Sequence, residues 1–334
     1  MVERQFKGAA RNFSMTHVIE RISILGTGLI GGSFALALRK YATDLHITGW
    51  DRPDVARTAQ ETKAFDETLT GDLTPALRSA DLIYIALPIG ATIDLLPELA
   101  RHAPRKALIT DACSTKLRIS QGAQELFAGA DAPLFLPGHP MAGREHAGIA
   151  HADADLFQNA PYALIADLPG EANDSTSRES KKSTSEIEIH LHAQPERGDV
   201  LRKDARVDAF LKLLKKIGAR PLWLGARQHD YAVGLASHLP QLVAVALASF
   251  LYDRLDENGL PITVAGPGLR DTLRLAGSPY QTWRDIVLTN REVLSASLDL
   301  LARRIDDLRE RLATRELEAD FDAANELYRL LRSL

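Results

Sequence analysis

Arg21-Ile22-Ser23-Ile24-Leu25-Gly26-Thr27-Gly28-Leu29-Ile30-Gly31-Gly32-Ser33 is the stretch that decides the fold. Its first five residues read as a buried strand, and the run over residues 31–41, which opens on small residues, reads as a helix. Between them Gly26, Gly28 and Gly31 spell G-x-G-x-x-G. In a strand–turn–helix setting each glycine has a physical task. Gly26 permits the tight turn, Gly28 lets the backbone approach a pyrophosphate, and Gly31 allows close packing of helix on strand. The helix start at Leu29 and Ile30 presents free N–H groups to an anion. Alone, the motif also fits a plain strand–helix turn. The next strand, His46-Ile47-Thr48-Gly49-Trp50, strengthens the dinucleotide reading because it ends at Asp51, where a ribose-binding acid belongs. A carboxylate there accepts from a ribose 2′-OH and repels a 2′-phosphate, which points to NAD rather than NADP. Arg52 partly offsets that repulsion, and Asp51 also reads as a cap.

Outward from this unit, apolar runs at residues 81–87, 107–110, 133–137, 162–166 and 221–224 read as further strands, with helical patterns between them. Leu87 and Pro88, at the end of the third strand, are placed beside the cofactor. Strand and helix in alternation predict an α/β fold, a Rossmann-type doubly wound parallel sheet. Strand signals nearly vanish after Arg227. Residues 237–252, 282–312 and 317–331 carry apolar residues at helical spacing, so an all-α second domain follows. The expected division is a disordered extension over residues 1–18, a dinucleotide-binding domain over 19–224, and a helical substrate-binding and dimerisation domain over 225–334. Residues 170–206, rich in Ser, Thr and Lys before a Glu-Ile-Glu-Ile-His-Leu-His run, read as a polar surface insertion.

Composition excludes several classes. A formal net charge of −4 offers no broad basic field for nucleic acid. One cysteine, Cys113, rules out an internal disulfide or a cysteine metal cluster, and suits a reducing cytoplasm. No metal site is expected. No signal-peptide pattern and no uninterrupted run of about 18 apolar residues stand out, so no membrane span is expected. The long apolar helices of the second half predict a homodimer, since they need a second chain to bury them.

Two loops follow later strands: Asp111-Ala112-Cys113-Ser114-Thr115-Lys116, and Pro137-Gly138-His139-Pro140-Met141-Ala142-Gly143-Arg144-Glu145. Ligands of open α/β sheets bind beyond the carboxyl ends of the strands, where both loops belong. His139 sits between a permissive and a rigid residue. A neutral imidazole suits removal of a hydroxyl proton while hydride leaves the same carbon. A simple turn histidine fits the local sequence equally well.

These stretches, together with His229-Asp230, Ser237-His238-Leu239-Pro240, Asp271-Thr272-Leu273-Arg274 and Trp283-Arg284-Asp285, resemble the prephenate/arogenate dehydrogenase family over about residues 20–312. The resemblance implies that His139 binds the substrate C4 hydroxyl and acts as base, with Ser114 positioning both. It implies that Arg274 binds a substrate carboxylate, that Asp271 holds Arg274 or gates the site with Glu145, and that His238 lies near the site. The reaction it implies is NAD-dependent oxidative decarboxylation of prephenate to 4-hydroxyphenylpyruvate in tyrosine biosynthesis, or of arogenate to tyrosine. Plainer roles stay open: a turn or cap for Ser114, a surface ion pair for Arg274, a satisfied core histidine for His238. Cys113 reads as a small packing residue.

Two substitutions depart from the family pattern. Gln241 follows Ser-His-Leu-Pro where many relatives have His, and Arg144 stands where some have Thr. Both residues are placed at the substrate side chain. Two rivals remain: another NAD-dependent β-hydroxy acid dehydrogenase, for which no equivalent catalytic lysine is evident, and a non-catalytic NAD-sensing protein.

Overall fold

The structure is a computed structural model and describes residues 18–129, 131–144, 147–166, 201, 203–255 and 259–333. The proposed N-terminal extension (apart from Val18), residues 170–200 of the polar insertion, and Glu145 lie outside the described residues. The chain divides into two compact units, residues 1–229 and 230–334.

In the first unit β1 (Arg21–Leu25), β2 (His46–Trp50), β3 (Glu67–Leu69), β4 (Leu82–Ile85), β5 (Leu108–Asp111) and β6 (Leu134–Leu136) form one parallel sheet. Its order is β3-β2-β1-β4-β5-β6. That order reverses direction between β1 and β4, the crevice where doubly wound sheets bind ligands. β1 runs through the middle of the sheet and buries Ile22, Ser23, Ile24 and Leu25. The helix α1 (Leu29–Tyr41) covers it, with Phe34 stacked on Tyr84 of β4 at 4.0 Å between ring centres. The helices α2 (Pro53–Glu61), α3 (Thr74–Leu77), α4 (Ile89–His102), α5 (Leu117–Leu126) and α6 (Ala205–Lys216) follow in the same unit.

The parallel sheet is not the whole of the unit. At Pro137 the chain leaves it and enters a separate three-stranded sheet of β7 (Gly138–Pro140), β8 (Pro161–Ile165) and β9 (Arg220–Leu224), ordered β7-β8-β9. Proline lacks the N–H that would extend β6, which gives the chain a place to change sheets. The strands expected at 162–166 and 221–224 therefore exist, but they belong to this second sheet. β3 and β7 were not expected as strands at all.

The second unit is helical among its described residues. It begins inside α7, a continuous helix spanning Ala226–Tyr252 with a π-helical turn at Gly234–His238. Pro240 explains the turn: it cannot donate, and its ring would crowd the carbonyl four residues back, so the helix widens by one residue just before it. By length and composition alone α7 could cross a membrane, against the expectation from sequence. Ser237, His238 and Gln241 interrupt the apolar run in the sequence, which is why no unbroken stretch stood out. The single helical stretch expected over 282–312 is two helices, Tyr280–Thr289 and Arg291–Glu310, parted at Asn290. A last helix spans Glu318–Arg332 and buries no residue within the chain.

Candidate active site

The glycine loop lies at the carboxyl end of β1. Gly26 has φ +96°, and a β-carbon there would come within 2.5 Å of the Ala86 carbonyl oxygen. At Gly31 it would lie 1.9 Å from the Gly26 oxygen. A β-carbon on Gly28 would meet nothing within 4 Å. The first and third glycines are thus demanded by the protein's own packing, and the middle one is not. Its openness is what a closely approaching pyrophosphate needs. No side chain caps the α1 N-terminus at Gly28, and the first turn carries no acid, so the Leu29 and Ile30 end of the helix is left to an anion. Leu87 follows the strand end that Gly26 touches, and Pro88 caps the helix Ile89–His102.

Asp51 follows β2. One carboxylate oxygen accepts the Thr27 N–H at 2.7 Å and the Thr27 hydroxyl at 3.2 Å; the other accepts the Arg52 N–H at 2.8 Å. The acid expected to bind ribose therefore also braces the glycine loop.

Two strands away in the same sheet, at the carboxyl end of β5, lies a buried ion pair that sequence reasoning missed. Lys116 and Asp111 are both fully buried and joined Nζ to Oδ2. Lys116 Nζ also donates to the Gly138 carbonyl. Asp111 accepts the Cys113 N–H at 3.0 Å and the Gly138 N–H at 3.3 Å. This network ties the Cys113-Ser114 loop to the strand that carries His139. Ser114 is half-buried in that loop. Cys113 is buried, with burial pushing its thiol far above the usual range, so it is inert and packs as expected.

His139 pairs across the second sheet with Ala163 and is half-buried. Its Nδ1 lies 2.9 Å from Nε2 of His229, which is fully buried one turn into α7. His229 was singled out in the sequence only as part of a His-Asp pair. The start of its helix is fixed by the Gln228 side chain, which accepts the Gly225 N–H at 3.1 Å. Arg144 forms an ion pair with Asp153.

In the second unit His238 is buried in the π-turn. Its Nδ1 lies 3.2 Å from the Asn290 side-chain nitrogen, which also donates to the Asp230 carbonyl at 2.8 Å. Trp283 meets the His238 ring edge-on at 5.9 Å. Gln241 is buried; its Nε2 donates to the Leu275 carbonyl at 2.9 Å, while its Oε1 has no hydrogen-bond partner. Arg274 is exposed at the end of the helix Pro267–Leu273. Asp271 is also exposed. Among the described residues no cluster of His, Cys, Asp and Glu is placed to hold a metal.

Residues 34–179 match the prephenate dehydrogenase nucleotide-binding domain, and residues 225–332 match the prephenate dehydrogenase dimerization domain. A prephenate dehydrogenase of Lactococcus lactis subsp. cremoris is 30% identical over 302 residues, covering 90% of this chain and 73% of the relative. The chain belongs to the prephenate dehydrogenase family. It is therefore a dehydrogenase, and its first unit is the family's nucleotide-binding domain. The fold is shared with a prephenate dehydrogenase from A. aeolicus solved with hydroxyphenyl propionate and NAD+. That likeness has a TM-score of 0.74 and 23% identity, over 95% of this chain and 99% of that one. An arogenate dehydrogenase from Synechocystis is 28% identical, with a TM-score of 0.64 over 94% of this chain and 96% of that one. The family thus includes enzymes named for either substrate.

Proposed function

We propose that this member of the family is an NAD-dependent prephenate dehydrogenase, a soluble cytoplasmic enzyme of tyrosine biosynthesis that yields 4-hydroxyphenylpyruvate. One observation carries the reading: His139, held through its Nδ1 by a buried partner, stands on the same carboxyl-end side of the structure as a glycine loop whose middle residue leaves room for a pyrophosphate. Asp51 selects a free ribose hydroxyl, which favours NAD.

NAD, when bound, accepts the hydride that leaves the ring C4. His139 takes the proton of the C4 hydroxyl, and Ser114 helps position that hydroxyl. Arg274 holds the ring carboxylate, a task suited to a guanidinium fork. The carboxylate departs as carbon dioxide, and aromatisation of the ring drives the reaction forward.

Arogenate is the second reading, and Gln241 favours it. The bond to the Leu275 carbonyl fixes which end of the amide carries nitrogen, so the buried Oε1 is an acceptor awaiting a donor. The ammonium of arogenate is such a donor; the keto group of prephenate is not.

The active form is a homodimer. Leu300, Ile305, Leu312, Phe321, Tyr328 and Leu331 are exposed on the helical unit, in the region that matches a dimerization domain. The same need for cover accounts for the apolar length of α7 without a membrane.

The test is NADH formation with prephenate and with arogenate, by wild type and His139→Asn. Loss of a general base lowers kcat about 10²–10⁴-fold. Turnover of neither substrate, or a His139→Asn enzyme within about threefold of wild type, overturns the reading.

A further inference from the structure

Three donors converge on the Asp51 carboxylate, two of them from Thr27: Oδ2 accepts the Thr27 N–H at 2.7 Å and the Thr27 hydroxyl at 3.2 Å, while Oδ1 accepts the Arg52 N–H at 2.8 Å. An ionised carboxylate has about four acceptor positions. Among the described residues both positions on Oδ2 are taken and one on Oδ1 is left, so Oδ1 is the atom open to a ribose hydroxyl. Packing fixes the direction of the Thr27 hydroxyl. The side chain is fully buried, and a β-carbon on Gly49 would come within 2.9 Å of its methyl carbon. A β-branched side chain is stiff about its first bond. With the methyl seated in the space that Gly49 leaves on β2, the hydroxyl is turned onto Asp51.

Arg52 makes this restraint matter. The end of β2 carries opposite signals: Asp51 repels a 2′-phosphate, whereas the exposed guanidinium beside it is a ready partner for one. Which signal prevails depends on whether the carboxylate can yield. A carboxylate free to turn about its side-chain bonds would swing aside and leave the phosphate to Arg52. One that must first break its hydrogen bonds resists, since bonds to a charged acceptor are stronger than neutral ones. Two of the three donors are backbone N–H groups, which almost any residue would supply. The Thr27 hydroxyl is the donor set by residue identity. We infer that Thr27 is a positioning residue that determines cofactor specificity: its hydroxyl holds Asp51 in place against a 2′-phosphate and so keeps the enzyme on NAD. The inference rests on the reading of Asp51 as the acid that selects NAD.

Direct titration of NAD and of NADP into the enzyme without substrate tests this, with kcat/KM for each cofactor measured beside it. Thr27→Val keeps the shape and the backbone N–H and removes only the hydroxyl. Its affinity for NADP should rise about 3- to 10-fold, the worth of one hydrogen bond, while that for NAD does not rise. The ratio of the two Kd values narrows accordingly. A purely structural role for Thr27 would weaken both cofactors together and leave the ratio where it was. Thr27→Ser, which keeps the hydroxyl, should stay nearer the wild-type ratio than Thr27→Val. A wild-type ratio in Thr27→Val overturns the inference, as does a Thr27→Ser ratio as narrow as that of Thr27→Val. The wild-type enzyme crystallised with NAD gives a check that needs no variant to fold. The ribose 2′-hydroxyl should meet the Asp51 oxygen that accepts from Arg52, with the Thr27 hydroxyl still on the other. A ribose hydroxyl on the Thr27 side, or an Asp51 released from Thr27, overturns the inference too. If Asp51→Ser leaves the ratio unchanged, Asp51 does not select the cofactor and the reading beneath the inference fails. If Asp51→Ser narrows the ratio and Thr27→Val does not, the inference alone fails.

Discussion

Lys116 and Asp111 are paired where no solvent reaches either side chain. Burying two charges is expensive, and their attraction repays that cost only when the remaining donors and acceptors are used. Here they are used, on Cys113 N–H and on both backbone groups of Gly138. The pair thereby locks the loop bearing Ser114 to the strand bearing His139.

Lys116→Met should be strongly destabilising, because it strands the Asp111 carboxylate in the core. Breaking a buried pair costs about 3–5 kcal/mol. Chemical denaturation should show that loss, and Lys116→Met with Asp111→Leu should recover part of it. A single variant as stable as wild type would mean that water reaches Asp111.

Gly28→Ala and Gly31→Ala should separate folding from binding. A methyl on Gly28 meets open space, so the variant should melt near wild type yet lose NAD affinity. A methyl on Gly31 collides with the Gly26 oxygen, so that variant should be destabilised outright. Thermal melts beside NAD titrations distinguish the two; normal NAD affinity in Gly28→Ala would remove the pyrophosphate from this loop.

Asp51→Ser should narrow the preference for NAD over NADP by removing the charge that repels a 2′-phosphate. Because Asp51 also accepts from Thr27, affinity for both cofactors should weaken somewhat. The measurement is kcat/KM with each cofactor, and equal values in wild type would refute the assignment.

Arg274→Ala should raise the substrate KM about 10- to 100-fold, matching loss of a charged hydrogen bond worth about 1.5–3 kcal/mol. NAD binding should be unchanged and kcat should fall less, since the carboxylate is present before reaction. Arg274→Lys should recover only part. Unchanged KM for both prephenate and arogenate would move the carboxylate site elsewhere.

Asp81 should contribute to acid sensitivity. Burial raises its pKa, but the Lys106 ammonium and the N–H groups of Glu20 and Arg21 outweigh that and leave it below the ordinary value. A depressed carboxylate stabilises the fold above its unfolded pKa, and the contribution fades as pH falls through the folded one. The stability gap between wild type and Asp81→Asn should therefore be widest near neutrality and shrink below about pH 4. A gap independent of pH would contradict the assignment.

What the sequence disclosed was local. The β1–glycine–α1 unit and Asp51 are specified by neighbours in the chain, so their order and spacing were readable. Two strands of the second sheet were readable, but the sheet itself was not, because Gly138-His139-Pro140 has no strand pattern and ends on a proline; only the long-range partner Tyr162-Ala163-Leu164 makes it a strand. Lys116 looked like any loop lysine, since burial of a charge leaves no mark in composition. His229 was visible as a residue but not as a neighbour of His139, 90 positions away. Among the residues placed at the substrate, Gln241 and His238 turned out buried, while Arg274 and Asp271 are exposed and Arg144 is engaged with Asp153.

The π-turn in α7 acts as a phase shifter. Each residue of a regular α-helix advances the direction of its side chain by about 100°. The extra residue accommodated over Gly234–His238 sets everything from Leu239 to Tyr252 that far out of step with Ala226–Val233. Deleting one residue within the turn would restore an ordinary helix of nearly unchanged hydrogen bonding, and it would swing Gln241 and Ala244 out of the positions they now bury. Length within those five residues, more than their chemical character, decides which side of the following helix faces inward.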